Sequence, residues 1–506
     1  MFYTFFNTLV KGYLKYRHYR INTMYSNPVE TQLEVFSMLL DNLKNTEYGK
    51  EHKASAINNV SEYKQAFPIV DYEQLFPYID KMMKGEENIL WPGKVHWFAK
   101  SSGTTNDRSK YIPITDDNLF ENHVAASWDA MSILYSNRPD ARIFDRKNLI
   151  MGGSLTHMKD KLVIGDVSAI LLNRMPAVGR PFYSPDFETA ILPDWEDKIE
   201  KMAHQCSKDD IVMFAGVPTW SLVLFKRILE ITGKKNIREV WPNLRTYFHG
   251  GVGFDPYIDQ FKALMPGDDI EYYEVYNASE GYFAVQDRVN QKGMLLLLDN
   301  AIFYEFIPIE NMHEDQPDTL TIGEVEVGKD YCIVISTSSG LWRYRPGDVV
   351  TFVSVHPYRL MVTGRTKHYI NVFGEEVMVA NTDRAIKETC ELCGGKVNDY
   401  TVAPIFMESN SKGGHHWLVE FAEEPQDIAI FTEQLDKKLR SINSDYDAKR
   451  HKDIALQNLV IEQAPKGTFH DWLKSKGKLG GQSKIPRLSN ERKYIEDLQH
   501  FIKQNN

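Results

Sequence analysis

Five short segments of this 506-residue chain carry residue types able to act on phosphate, ribose or carboxylate groups. The first is Ser101-Ser102-Gly103-Thr104-Thr105-Asn106-Asp107-Arg108-Ser109-Lys110. Its hydroxyls and open backbone N–H groups suit phosphate oxygens, Gly103 lets the backbone come close, and Lys110 adds a positive charge. The same residue types also favour a solvated turn, and no Walker pattern G-x-x-x-x-G-K-[ST] is present. The second segment is Tyr276-Asn277-Ala278-Ser279-Glu280-Gly281. Tyr276 offers a flat face to a purine, Ser279 a hydroxyl, and Glu280 a hard oxygen to magnesium. A hydrolase elbow G-x-S-x-G is excluded, because Asn277 stands where glycine is needed. The third is Tyr344-Arg345-Pro346-Gly347-Asp348. A carboxylate after a Pro-Gly turn can accept both hydroxyls of a ribose diol, or can serve only its own turn. The fourth, Gly364-Arg365, and the fifth, Gly480-Gly481-Gln482-Ser483-Lys484-Ile485-Pro486-Arg487, each present a cation that alone reads more readily as surface charge.

The elements around these segments follow from hydrophobic spacing. His96 to Ala99 reads as a strand feeding the first segment, and Glu271 to Val275 as one feeding the second. Apolar runs at Lys147–Met151, Ile211–Phe214 and Leu244–Phe248 end in Gly152-Gly153, Ala215-Gly216 and His249-Gly250-Gly251, with a helical stretch at Thr219–Leu229. Strand, glycine turn and helix in succession predict an α/β sheet whose strands end at a ligand site. From Met294 to Thr363 the chain is strand-rich, which predicts an antiparallel, barrel-like section. Beyond Gly364 the texture is that of a smaller α+β unit. The expected fold is therefore α/β: a large N-terminal domain with mixed sheets, residues 1–360, and a small α+β C-terminal domain, residues 361–506, joined near 356–367.

Bulk composition narrows the function classes. A formal charge of −10 argues against a general nucleic-acid footprint. Four cysteines are too few for a disulfide scaffold and suit a reducing, cytoplasmic setting. Cys390 and Cys393 form a lone C-x-x-C with no second pair, so a zinc site is incomplete and a helical pair explains them. Phe2, Phe5, Phe6, Leu9 and Val10 recur with helical spacing, which fits a helix on the core or attachment to a membrane surface. Lys11 breaks the apolar run far short of the roughly 20 residues of a membrane span, so no stable membrane insertion is expected.

Taken in order, the five segments resemble the adenylate-forming superfamily of acyl-CoA synthetases, luciferases and peptide-synthetase adenylation domains. The detail is similar to one branch, the Gretchen Hagen family of acyl acid–amido synthetases. That branch has S-S-G-T-[ST] with a later lysine (Ser101 to Thr105, Lys110), Y-x-x-S-E (Tyr276 to Glu280), Y-R-x-G-D (Tyr344 to Asp348) and a late K-x-P-R (Lys484 to Arg487). The resemblance spans about residue 45 to the C-terminus. It implies a large adenylating domain with a C-terminal lid, and ATP and magnesium as cofactors. A carboxylic acid is activated as acyl-AMP, and an amino acid or other amine then takes the acyl group as an amide. The residues it implies are Ser101, Ser102, Gly103, Thr104, Thr105 and Lys110 for the phosphates, Glu280 for magnesium, Tyr276 stacked on the adenine with Gly250 and Gly251 nearby, and Ser279 as a further nucleotide-binding hydroxyl. It further implies Asp348 for the ribose, Arg365 at the hinge, and Lys484 across the carboxylate and α-phosphate. The stretches Asn106–Ser109 and Asn371–Glu375 depart from the plant pattern, which bears on the acid accepted rather than on adenylation.

An acyl-CoA ligase, or a nucleotide sensor without turnover, would share much of this pattern; Lys110, Glu280, Asp348 and Lys484 together weigh against the sensor. The acyl pocket is expected near Trp128, Met131, Val217, Pro218 and Trp220, side chains that serve equally as core. His157 and His249 are the candidate bases for the amine. Neither the acid, the amine nor the oligomeric state is legible.

Overall fold

The computed structural model describes residues 2–101, 110–157, 162–254, 257–312, 314–365, 369–407, 412–451, 456–475 and 485–505. The chain forms two compact units. The first comprises Met1–Ser101, Lys110–Gly251 and Lys262–Thr366; the second comprises Val252–Phe261 and Lys367–Asn506.

The first unit is built on β1 (Trp97–Ser101), β2 (Lys110–Ile114), β3 (Lys147–Ile150), β4 (Leu155–His157), β5 (Val163–Gly165), β6 (Tyr183–Ser184), β7 (Ile211–Ala215), β8 (Thr246–Gly250), β9 (Glu271–Ala278), β10 (Gly281–Val285), β11 (Met294–Leu296), β12 (Ile302–Pro308), β13 (Asp330–Thr337), β14 (Asp348–Val355) and β15 (Tyr358–Arg365). Among the described residues these make a four-stranded sheet, β2-β1-β5-β4, and an eleven-stranded sheet, β12-β13-β14-β15-β11-β10-β9-β8-β7-β3-β6. The large sheet is mixed. From β9 through β8, β7 and β3 to β6 the pairing is parallel, and from β12 to β9 it is antiparallel. The parallel strands are the apolar runs that end in glycine turns, and β7 reads Ile-Val-Met-Phe without a polar break because these four side chains are all buried. Helices Trp195–Cys206 and Pro218–Thr232 pack together after them. Asp194 caps the first by accepting from the Asp197 N–H, and Pro218 starts the second where its missing N–H costs nothing.

The N-terminal helix, Phe2–Ser26, buries Val10, Leu14, Ile21 and Met24. It is tied down by Arg17, whose Nε donates to Asp129 Oδ1 at 2.7 Å in the interior. Burial outweighs that guanidinium and pushes the Asp129 carboxyl up to about 6. Leu9, expected on the buried stripe, is 58% exposed, because the face fixed by Val10, Leu14 and Arg17 turns it outward. No described helix is long and apolar enough to cross a membrane.

The second unit is α+β. β16 (Tyr369–Ile370) pairs with β17 (Val377–Met378), and β18 (Lys396–Ile405), β19 (Gly414–Glu423) and β20 (Val460–Ala464) form a three-stranded sheet. Helices Val379–Cys393 and Ile428–Ile442 pack on one another. Cys390 and Cys393 lie in the last turn of the first of these, half-buried and unbridged. No cluster of three metal-binding side chains occurs among the described residues.

Candidate active site

Four neighbouring parallel strands, β3, β7, β8 and β9, end on one edge of the large sheet, where ligands of open α/β sheets bind. β8 reaches that edge at Gly250, paired with Val275 of β9. A side chain at Gly250 would stand 2.4 Å from the Val275 carbonyl oxygen, so only glycine lets the two backbones meet there. One residue on, Gly251 lies against Val217, at the turn that leads β7 into helix Pro218–Thr232.

β9 and β10 form a hairpin with Ala278 opposite Gly281, which puts Ser279 and Glu280 at its tip. Asn122 holds this hairpin from behind. Its Oδ1 accepts from the Tyr282 N–H at 2.8 Å, and its Nδ2 donates to the Asn300 carbonyl at 3.0 Å. Opposite lies the segment Tyr344 to Asp348. Its backbone is clamped by Ile335, which exchanges both hydrogen bonds with Tyr344, and by Val70, which accepts from Arg345.

The two segments are joined crosswise. The Tyr276 hydroxyl donates to Asp348 Oδ2 at 2.5 Å, and the Tyr344 hydroxyl lies 3.5 Å from Glu280 Oε1. The first residue of Tyr276–Glu280 thus meets the last of Tyr344–Asp348, and the last meets the first. Lys110 joins the second link: its Nζ donates to the Tyr344 hydroxyl at 3.1 Å and sits 5.9 Å from the centre of the Tyr72 ring. Burial pushes the Tyr344 hydroxyl well above its usual range, so it stays protonated between lysine and glutamate. Lys110, Tyr276, Glu280, Tyr344 and Asp348 therefore form one group. Arg365 stands directly across from Asp348 in the β14–β15 ladder; its side chain is outside the described residues.

Ser101 pairs with Lys110 at the base of the β1–β2 hairpin. Ser102, Gly103, Thr104, Thr105 and Lys484 lie outside the described residues. The acyl-pocket candidates divide. Trp128 stacks on Phe144 at 5.6 Å and meets Tyr13 edge-on, and Met131 packs on the same core. Trp220 stacks on Trp195 at 4.0 Å and is buried. Val217 stands at the strand-end edge beside Gly251. A cavity of about 730 Å³ lies instead at Lys147, the first residue of β3, and none of the candidate residues lines it. His249 is buried on β8, and burial pushes its imidazole down to about 3, so it is neutral at ordinary pH. The His157 side chain is outside the described residues.

Tyr344 and Asn122 are the participants that residue-by-residue reasoning passes over. Tyr344 was within reach, since it opens the same motif as Asp348. Asn122 offered no such signal: in Asn118-Leu119-Phe120-Glu121-Asn122-His123-Val124 it is one polar residue among several.

Sequence profiles decide the family. The GH3 family N-terminal domain matches residues 17–194 and 154–270, the central domain 295–365, and the C-terminal domain 380–493. The chain belongs to the GH3 family. It is 22% identical to the indole-3-acetic acid-amido synthetase GH3.3 of Arabidopsis thaliana over 92% of this chain and 90% of that protein. It is 23% identical to the jasmonoyl–L-amino acid synthetase JAR4 of Nicotiana attenuata, over 90% of each. Among solved structures, the GH3.15 acyl acid amido synthetase in complex with 2,4-DB superposes with a TM-score of 0.62 at 18% identity, covering 97% of this chain and 96% of that one. The likeness shows a shared fold: a large mixed-sheet domain followed by a smaller α+β one.

Proposed function

We propose that this GH3 chain is an ATP-dependent, AMP-forming acyl acid–amido synthetase. In the first step a carboxylate oxygen attacks the α-phosphorus of ATP, a P–O bond forms, and pyrophosphate leaves. In the second an amine, most simply that of an amino acid, attacks the acyl carbon; a C–N bond forms, AMP leaves with the C–O electron pair, and the amine sheds a proton.

The observation that carries the reading is the crosswise junction of Tyr276–Glu280 with Tyr344–Asp348, with Lys110 bound into it. It gathers a carboxylate for the ribose diol (Asp348), a ring held beside it for the purine (Tyr276), and a fixed ammonium for phosphate oxygens (Lys110). Such groups lower the barrier by positioning and charge neutralisation. Glu280 fits a magnesium ion brought in on ATP: it is one buried hard-oxygen donor, and Mg²⁺ is held by one or two carboxylates plus substrate phosphates rather than by an all-protein cage. The metal would supply neutralisation of phosphate charge. Ser101 to Thr105, Gly250, Gly251, Ser279 and Arg365 complete the proposed nucleotide site, with Lys484 stabilising charge at the α-phosphate.

The test is a pyrophosphate-exchange screen across carboxylic acids, then product analysis with amino acids and with coenzyme A. Acid-dependent exchange followed by an amide is expected. A thioester that depends on the thiol would make the chain an acyl-CoA ligase. AMP binding without exchange for any acid would leave a sensor.

A further inference from the structure

Lys198 is 0% exposed, in the first turns of helix Trp195–Cys206. Its position is costly twice over. Removing an ammonium from water is unfavourable, and the start of a helix already carries partial positive charge. Something must offset both terms. The Nζ donates to the carbonyl oxygens of two consecutive residues, Gly152 at 2.5 Å and Gly153 at 2.8 Å, and lies 4.9 Å from the centre of the Trp195 ring.

Those two carbonyls belong to the turn that ends β3, and the turn is gripped from further sides. Ser168 Oγ accepts from the Gly153 N–H at 3.0 Å, and Asp166 Oδ2 accepts from the Ser154 N–H at 2.7 Å. Gly153 is packed so closely on Asp166 that a Cβ there would overlap its carboxylate. The Met151 N–H donates to the Ala215 carbonyl of β7, and a side chain at Gly216 would meet Met151 at 3.1 Å. The turn therefore stands in the same row of strand ends as Gly216–Val217, Gly250–Gly251 and the Glu280 hairpin.

We infer that Lys198 is a positioning residue: its charged ammonium fixes the Gly152–Gly153 turn as a wall of the acyl-acid site next to Val217. The inference rests on the proposed synthetase activity. A turn whose two carbonyls are held by a cation, and whose N–H groups are held by Ser168 and Asp166, keeps one geometry, and a bound acid meets a wall that does not have to be ordered on binding. Among the charged groups of the described residues, Asp166, before helix Val167–Asn173, is the one whose field reaches the ammonium. It only partly opposes burial, which pushes Lys198 down to about 8. Ser168 faces the turn from helix Val167–Asn173, and Trp220 backs Trp195 from helix Pro218–Thr232; neither titrates. Loss of the proton above that pH leaves a weaker lock.

The test uses the full chain and an acid that supports pyrophosphate exchange, a half-reaction free of the amine's own titration. KM for acid and for ATP are measured from pH 6.5 to 9.5 in the wild type, Lys198→Arg and Lys198→Met, with thermal melts to verify folding. The wild type should show a KM for acid that rises several-fold above about pH 8, with KM for ATP flat. Lys198→Met should raise KM for acid about tenfold at pH 7 and remove the pH dependence, and Lys198→Arg should recover low KM and carry it past pH 9. A folded Lys198→Met with wild-type KM for acid overturns the inference, as does a parallel rise in both KM values. If the wild type exchanges with no acid, it is the synthetase reading that fails.

Discussion

Two buried carboxylates of the first unit behave in opposite ways. Glu305, inside the antiparallel half of the sheet, is 0% exposed and saturated. Arg343 approaches it through Nη2 at 2.9 Å and Nε at 3.1 Å, and Thr319 donates at 2.5 Å. Arg343 also donates to the carbonyls of Lys64 and Phe67. It does so from a left-handed backbone, φ 42°, a conformation that costs about 1–3 kcal/mol and persists only where its surroundings fix it. Asp348, five residues further on, is nearly as buried but is met by a neutral tyrosine hydroxyl, and its neighbour link, Tyr344 to Glu280, is a long 3.5 Å. The residue just before the Tyr344–Asp348 motif is thus closed into an ion pair. Asp348, at the end of that motif, is instead met by a tyrosine hydroxyl, in a group that also holds Lys110, Glu280 and Tyr344. Arg343 is placed to serve stability, and Asp348 is the residue proposed for the ribose.

Substitution separates the two most sharply at Arg343. Arg343→Met strands the Glu305 carboxylate in the interior, and removing one partner of a buried pair costs about 3–5 kcal/mol. Denaturant unfolding of the first unit should show that loss, and activity should fall with the folded fraction. A stable but inactive variant would move Arg343 into the site and erase the contrast. Lys484→Ala should do the reverse. Acyl-AMP formation should drop by about 10²–10³-fold, the usual cost of removing a group that stabilises transition-state charge, with unfolding unchanged. Exchange at the wild-type rate would remove Lys484 from catalysis. Asp348→Ala follows with a smaller, purely binding effect. A hydrogen bond to a charged group is worth roughly 1.5–3 kcal/mol, so the dissociation constant for ATP should rise about 10- to 100-fold by calorimetry. Unchanged affinity would take Asp348 out of the ribose site.

What the sequence made legible divides along the same line. Strand positions, glycine turns and the order of the motifs are local properties, and β3, β7, β8 and the strands from Met294 onward lie where hydrophobic runs place them. The crosswise meeting of Tyr276 with Asp348 and of Glu280 with Tyr344 depends on the register between segments some seventy residues apart, which no periodicity encodes. Trp128 and Trp220 read as pocket or core, and their stacking on Phe144 and Trp195 is decided by packing alone. Lys198 was invisible for the opposite reason. In Glu196-Asp197-Lys198-Ile199-Glu200-Lys201 it looks like one more solvated charge, and only the turn folded over it makes it interior.

The smallest expected effect concerns the proton released by the attacking amine. His249 lies on β8 immediately before Gly250, close enough to the strand-end edge to invite the role of base. A general base is most effective when its pKa lies near the working pH, and burial holds this imidazole at about 3, several units too low to draw a proton from an ammonium. His249→Asn should therefore change the amide-forming rate by less than about threefold and leave the shape of its pH profile between 5 and 8 intact. Asparagine keeps a polar group of similar reach, so a loss of activity in a folded variant points to proton transfer rather than to a cavity. If the wild type shows a limb near pH 6 that vanishes in the variant, His249 is the base, and substrate binding must raise its pKa by about three units, close to 4 kcal/mol of interaction. A flat comparison instead leaves the proton to the solvent or to the leaving AMP, and confines the work of β8 to the glycines that follow.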